Sequence, residues 1–322
     1  LLVSRHKYIE AKSCLKESFD LRRQLVGRER DAYLNELALA CASLAKCYYS
    51  CGEFDKVAEL RNEELGLRRE LVEKKRLVGL PGLASVLTAL GSLQNYIWAD
   101  FRVARGFYDE ALILRRELFK SDSKAFKSSL AALLNNIGDL NKFTGNVDAA
   151  SCAYDESLRM RQELVLESRD VYLSSLADVL RDYGELKRMM GDRRTCEDFL
   201  VEALGYGREL VTKERTPNLW GLAETLRRLG DLWCEEGDLK GAERYCRESV
   251  ELMRELACDS PSRYESYLAR ALLSLGCVLR VTGAAYVGVL SEARSLAVKY
   301  SNQRVGGEVL LGLKRIEDED CC

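Results

Sequence analysis

Hydrophobic residues along this chain recur at three- and four-residue steps, the period of an α-helix. Between residues 217 and 256, Leu219, Leu222, Leu226, Leu229 and Trp233 share one helical face. Glu236-Gly237-Asp238 interrupts the pattern, because glycine tolerates the dihedrals that turn a chain out of a helix. Ala242, Tyr245 and Val250 then open a second apolar face. The stretch predicts a helix, a short turn and a second helix.

The same unit recurs. Leu25, Leu71, Leu118, Leu164, Leu210 and Leu256 close segments of the type LRREL, MRQEL or GREL at steps of 46, 47, 46, 46 and 46. Leu37, Leu83, Leu130, Leu176, Leu222 and Leu268 hold the same period in the first helix of each unit. Gly52, Gly145, Gly191, Gly237 and Gly283 mark the turns, with Ala99 in the missing glycine's place. One extra residue between Leu90 and Ala99 accounts for the single longer step. A repeat of this kind cannot bury its apolar face alone, so its units stack.

This register predicts an all-α fold, a right-handed α-solenoid of stacked antiparallel helix pairs. The solenoid is expected over 1–302, with a half repeat over 1–27 and then six pairs. First helices are expected near 30–50, 81–97, 124–143, 170–190, 217–236 and 262–282. Second helices are expected near 54–76, 100–120, 147–167, 193–214, 239–257 and 285–300. The register puts a turn at His6, so the chain is expected to begin mid-repeat. Residues 303–316 read as a shortened capping helix and 317–322 as an acidic tail. Pro81, Pro217 and Pro261 each stand at the start of a first helix, where a missing N–H costs little.

LGDLW followed by EEGDLKGAERYCRES resembles the tetratricopeptide repeat. Leu229-Gly230, Gly237-Asp238 and Ala242 fill that family's first-helix, turn and small-residue places. Leu44-Ala45, Leu90-Gly91, Ile137-Gly138, Tyr183-Gly184 and Leu275-Gly276 are equivalents of the first pair, and Val57, Ala104, Ala150, Cys196 and Gly288 of the small residue. The family's usual period is about 34 residues, so each unit here is longer, and the proline that closes the second helix is missing. The lengthened form is more similar to kinesin light chains and to the sensor arrays of bacterial signalling proteins.

The resemblance implies a concave surface, lined by first helices, that binds segments of partner proteins. Carried onto this register, the inward-facing residues are Asn135, Asn136, Asp139 and Lys142, then Arg181, Asp182, Glu185 and Arg188. Arg227, Arg228 and Asp231 follow, then Arg270, Ser274 and Arg280. The two asparagines stand where members of the family grip a partner's backbone, since an amide donates and accepts together. The arginines would select carboxylates by paired hydrogen bonds. Alternatively, Arg181, Arg227 and Arg270 offset Asp178, Glu224 and other acids of the same groove. The LRREL arginines likewise have two readings, a basic stripe for acidic ligands or structural pairing with a neighbouring unit's carboxylates.

Composition narrows the field. Charged residues make up 31% and the net charge is −2, so no basic excess points to nucleic acid. The 12 cysteines form no CxxC pair and His6 is the only histidine, so zinc spacing fails and reduced thiols are expected. No apolar run of membrane-spanning length and no signal peptide is read, which makes the cytoplasm the default. Cys321-Cys322 resembles a prenylated tail, although its acidic flank does not suit an anchor. Phosphate-loop, dinucleotide, metalloprotease and nucleophile-elbow motifs are all missing. The expectation is a non-catalytic interaction scaffold or adaptor without cofactor or metal, holding an extended, acidic protein or peptide segment. The alternatives are a sensor region of a larger signalling ATPase and a structural spacer in a large assembly such as a cilium.

Overall fold

The computed structural model describes the backbone of residues 2–320 and the side chains of residues 12–319. Over these residues the chain is an all-α solenoid of stacked antiparallel helix pairs, with fourteen α-helices and no strand. The helices are α1 Leu2–Arg28, α2 Arg30–Ser50, α3 Phe54–Lys74, α4 Arg76–Leu93, α5 Phe101–Ser121, α6 Ser123–Phe143 and α7 Val147–Glu167. They continue as α8 Arg169–Met189, α9 Arg193–Lys213, α10 Arg215–Glu236, α11 Leu239–Asp259, α12 Pro261–Thr282, α13 Val287–Lys299 and α14 Arg304–Asp320. Two compact units divide them: Leu1–Leu133 with Asp259–Arg263, and Leu134–Cys258 with Tyr264–Cys322.

The turns follow from the glycines. Gly52, Gly145, Gly191, Gly237 and Gly283 have φ of 71, 77, 78, 87 and 72°, which side-chain-bearing residues rarely adopt. Residues just past them reach back to close the helix: Glu53 N–H donates to the Tyr48 carbonyl at 3.0 Å, and Asp192 N–H to that of Lys187 at 2.9 Å. The next helix is then capped, as where Asp192 accepts from Thr195 N–H at 3.2 Å and Asp238 from Gly241 N–H at 3.1 Å. Ala99 takes the left-handed conformation at φ 57° without glycine's freedom.

The extra residue before Ala99 forms a π-helical turn, Gln94–Trp98, at the end of α4. A π turn takes up one inserted residue without breaking the helix. Asn95 within it is fully buried, and neither its Nδ2 nor its Oδ1 has a partner.

Several boundaries differ from the expected ones. The backbone at His6 is helical, since α1 runs unbroken from Leu2 to Arg28 and histidine lacks glycine's access to the left-handed region. α4 begins at Arg76, so Pro81 lies inside it, and Pro217 is the third residue of α10; Pro261 alone opens its helix. The carbonyl that Pro81 leaves without a helical partner belongs to Leu77, an exposed residue. α14 takes in the expected capping segment and continues through the acidic residues to Asp320. Arg76–Trp98, 23 residues of mean hydropathy 1.5, is long and apolar enough to cross a membrane, where the sequence suggested no such run. Half of it is buried in the protein, with Leu80, Leu83, Ala84, Leu87 and Leu90 in the core.

Inside each unit, the apolar faces interlock. In the first, Leu34, Leu37 and Leu44 of α2 pack with Val57, Leu60 and Leu67 of α3. In the second, Leu226, Leu229 and Leu232 of α10 sit between Cys196, Leu200 and Leu204 of α9 and Tyr245 of α11. The LRREL motif is used structurally. Its arginines reach the next unit's second helix, as in Arg69–Glu110 at 3.0 Å and Arg254–Glu292 at 2.7 Å. Its glutamates hold the first helix of their own pair, as in Glu70–Arg30 at 2.5 Å and Glu255–Arg215 at 2.7 Å. These pairs are mostly exposed, so water and salt screen them and they fix register more than they add stability.

Candidate functional site

The glycine of each Leu-Gly pair shapes the inner surface. A Cβ at Gly138 would stand 2.7 Å from the Tyr154 ring, so only glycine lets that ring pass beneath α6. The ring, buried and stacked on Tyr183 at 5.3 Å, delivers its hydroxyl to Asp139 Oδ1 at 2.6 Å. Lys142 donates to the same oxygen at 2.6 Å. Burial and the neighbouring Asp139 push the Tyr154 hydroxyl well above its ordinary pKa, so it stays a donor.

From here a chain of polar contacts crosses the first helices of the second unit. Asn135 Nδ2 of α6 donates to Asp182 Oδ2 of α8 at 3.2 Å. Arg228 of α10 lies 3.2 Å from Asp182, donates to Glu224 at 3.1 Å and reaches the Arg181 carbonyl at 2.7 Å. Glu224 is the hub. It also accepts from Arg227 at 2.7 Å and from Arg270 of α12 at 3.0 Å. Burial opposes its charge, yet the three arginines hold its carboxyl well below the usual range. Arg227 bonds Asp231 at 2.5 Å as well.

The flanks are paired in the same way. Arg181 bonds Asp178 at 2.9 Å and lies over the Trp220 ring at 4.9 Å. Arg188 bonds Glu185 at 2.6 Å and Glu235 at 2.5 Å. Arg270 comes within 3.9 Å of Glu308 on α14, and Arg280 bonds Glu319 there at 3.0 Å. Asn136 is half-buried and Ser274 buried. Thus Asn135, Asp182, Arg228, Glu224, Arg227, Asp231 and Arg270 join in one network, while Asp139 with Lys142 and Glu185 with Arg188 form their own pairs, and Arg280 of α12 stands apart, paired with α14. The pairs with Asp178 and Glu224 are those that the offset reading of the arginines named.

Three polar atoms in this band have no hydrogen-bond partner, Asn135 Oδ1, Arg181 Nε and Arg270 Nε, although Arg181 Nε lies 3.7 Å from Asp182 Oδ1. Sequence reasoning missed Tyr154, whose hydroxyl lies 15 residues from the aspartate it orients, and Glu308, because α14 carries no repeat register. Among the described residues no group of histidine, cysteine and carboxylate side chains is placed to hold a metal. The ten described cysteines are free thiols, and burial pushes Cys41 and Cys196 up to about 12. Cys321 and Cys322 lie outside the described residues.

Residues 222–257 match the tetratricopeptide-repeat family model. No characterised protein matches it by sequence. Three solved structures share its fold at low identity. BtubC (BKLC) from P. vanneervenii is 17% identical, with 79% of this chain and 91% of that one covered and a TM-score of 0.52. A Rap protein complexed with Competence and Sporulation Factor is 14% identical over 91% and 77% of the two chains, at a TM-score of 0.56. A signal transduction ATPase with a tetratricopeptide repeat sensor, PH0952 from Pyrococcus horikoshii, is 14% identical at a TM-score of 0.53, with 97% of this chain but 46% of that one covered.

Proposed function

We propose that this chain is a non-catalytic interaction scaffold whose first helices α6, α8, α10 and α12 hold an extended segment of a partner protein. One observation carries the reading. Buried polar atoms are nearly always satisfied in folded proteins, yet Asn135 Oδ1, Arg181 Nε and Arg270 Nε, on three of these helices, are not. Turned outward from their buried positions, the amide oxygen would accept from a partner's backbone N–H and the two guanidinium nitrogens would donate to its carbonyls. The likeness to a Rap protein complexed with Competence and Sporulation Factor gives the fold a precedent for holding a ligand. Acidic residues in the segment would compete with Asp178, Glu235, Glu308 and Glu319, whose side chains are exposed, for Arg181, Arg188, Arg270 and Arg280.

The test is Asn136→Ala combined with Arg227→Glu, compared with wild type in co-purification from full lysate, with folding checked by circular dichroism. Loss of partners that wild type retains supports the groove. A folded double variant that keeps every partner refutes it. A second reading, the sensor region of a larger signalling ATPase, draws on the likeness to the PH0952 sensor. A phosphate-loop domain encoded in the same gene would favour it.

A further inference from the structure

The first unit contains a cavity of about 390 Å³ that the groove of the second unit does not share. Its walls are apolar and small: Ala45 and the Tyr49 ring of α2, Val57 of α3, and Ala89 and Leu93 of α4. Three cations line it, Lys46, Arg61 and Arg263, the last in the segment that belongs to this same unit. No carboxylate lines it. Small-molecule sites typically measure about 300–1,000 Å³ and combine apolar walls with a few convergent polar groups. This cavity has that size and that make-up.

The charges distinguish it from the neighbouring surfaces. In the second unit Arg181, Arg227 and Arg228 are each matched by carboxylates within hydrogen-bonding distance. At the cavity, Arg61 Nη1 bonds Glu64 at 2.6 Å, but its Nε has no partner although the side chain is only 12% exposed. Lys46 is exposed. Arg263 lies over the Tyr49 ring at 5.1 Å, which holds its guanidinium at the wall. Serine adds little, because the Ser50 and Ser92 hydroxyls already bond the Lys46 and Thr88 carbonyls.

We infer that this cavity is a binding site for a small apolar molecule ending in an oxyanion, a carboxylate or a phosphate. The apolar body packs on Val57, Ala89 and Leu93, while Lys46, Arg61 and Arg263 take the head group through charge-assisted hydrogen bonds. A cation of the same shape is repelled, and a neutral alcohol offers the cations no charge-assisted hydrogen bond.

The experiment is calorimetric titration of the full chain with octanoate, octyl phosphate, octanol and octylammonium, each below its micelle concentration. Either anion is expected to bind at least about tenfold more tightly than the alcohol or the amine, a difference of about 1.4 kcal/mol. Comparison of the two anions identifies the head group. Ala89→Trp, which fills the cavity, abolishes anion binding, and Lys46→Glu weakens it about tenfold. Both variants are checked for an unchanged helical signal; if Ala89→Trp does not fold, Lys46→Glu decides alone, since its side chain is exposed. Three results overturn the inference: neither anion binding wild type, equal binding of octanol or octylammonium, or anion binding that Lys46→Glu leaves unchanged.

Discussion

Gly138→Ala sets two effects of opposite sign against each other. Alanine is the better helix former, by about 1 kcal/mol in a helix interior. On that ground alone the variant is stabilised. The structure reverses the sign. The added Cβ would lie 2.7, 2.8 and 2.9 Å from three atoms of the Tyr154 ring, where carbon atoms normally approach to about 3.5–4.0 Å. The ring cannot retreat, because it is fully buried, stacked on Tyr183 and tied through its hydroxyl to Asp139. Overpacking of this kind costs about 1–3 kcal/mol, and a broken buried hydrogen bond adds about 1 kcal/mol. The net expectation is destabilisation of about 1–3 kcal/mol. Gly106→Ala is the control, because its Cβ meets nothing within 4 Å on the exposed side of α5; it should gain about 0.5–1 kcal/mol. Thermal midpoints of both variants, and of Gly138→Ala with Tyr154→Leu, measure the balance. A Gly138→Ala midpoint raised as much as that of Gly106→Ala, or no coupling to Tyr154→Leu, would refute the close-approach argument.

Three further outcomes are expected. Ala99→Gly removes a left-handed alanine at φ 57° and should raise the thermal midpoint, stabilising by up to about 1 kcal/mol after the unfolded-state entropy of glycine is subtracted. Leu229→Ala, at a fully buried position between α9 and α11, should cost about 2–5 kcal/mol; hydrogen exchange should show the loss spreading into both neighbours, and a midpoint shift no larger than that of an exposed lysine variant would count against it. Acid should loosen the second unit. Burial raises the Glu185 pKa but Arg228 and Arg188 more than offset this and hold it at about 2, so its stabilisation is complete above the ordinary carboxylate pKa and is lost as pH falls from about 4.5 toward about 2. Asp182 shifts in the same direction, whereas Asp231, raised by burial, works against it. A helical signal flat across that window would contradict the network.

How much the sequence told depends on which contacts a period can encode. The turns were readable because a left-handed residue is a local requirement, and glycine marks it. Even the exception was readable, since Ala99 keeps its place in the register. The π turn was visible as one surplus residue, but nothing local says that an insertion is absorbed inside a helix rather than in the loop after it. Pro81 misled for a related reason: proline is tolerated several residues into a helix when the carbonyl it leaves free, here that of Leu77, is exposed, so it did not mark the start. The candidate groove positions on α6, α8, α10 and α12 follow from the resemblance carried onto the register. Their pairing does not, because Arg228 reaches a carboxylate 46 residues away and Arg270 one on the preceding first helix, and sequence distance ranks neither against the other.

The two units therefore use the same repeat differently. In the second, large charged side chains occupy the inner positions, and each cation needs a carboxylate to offset its burial. Removing Glu224 would leave Arg227, Arg228 and Arg270 short of their shared partner, a defect of about 3–5 kcal/mol for a buried pair. That requirement couples four first helices, so a ligand that engages one arginine must redistribute the rest. In the first unit the corresponding positions are Lys46, Ala89 and Ser92. Small residues there leave a cavity in place of a network, and although Arg61 is paired with Glu64, no carboxylate lines it. On the two proposals above, one backbone would bind two different chemistries, because inner-face side chains change while the left-handed turns, Ala99 included, keep their places.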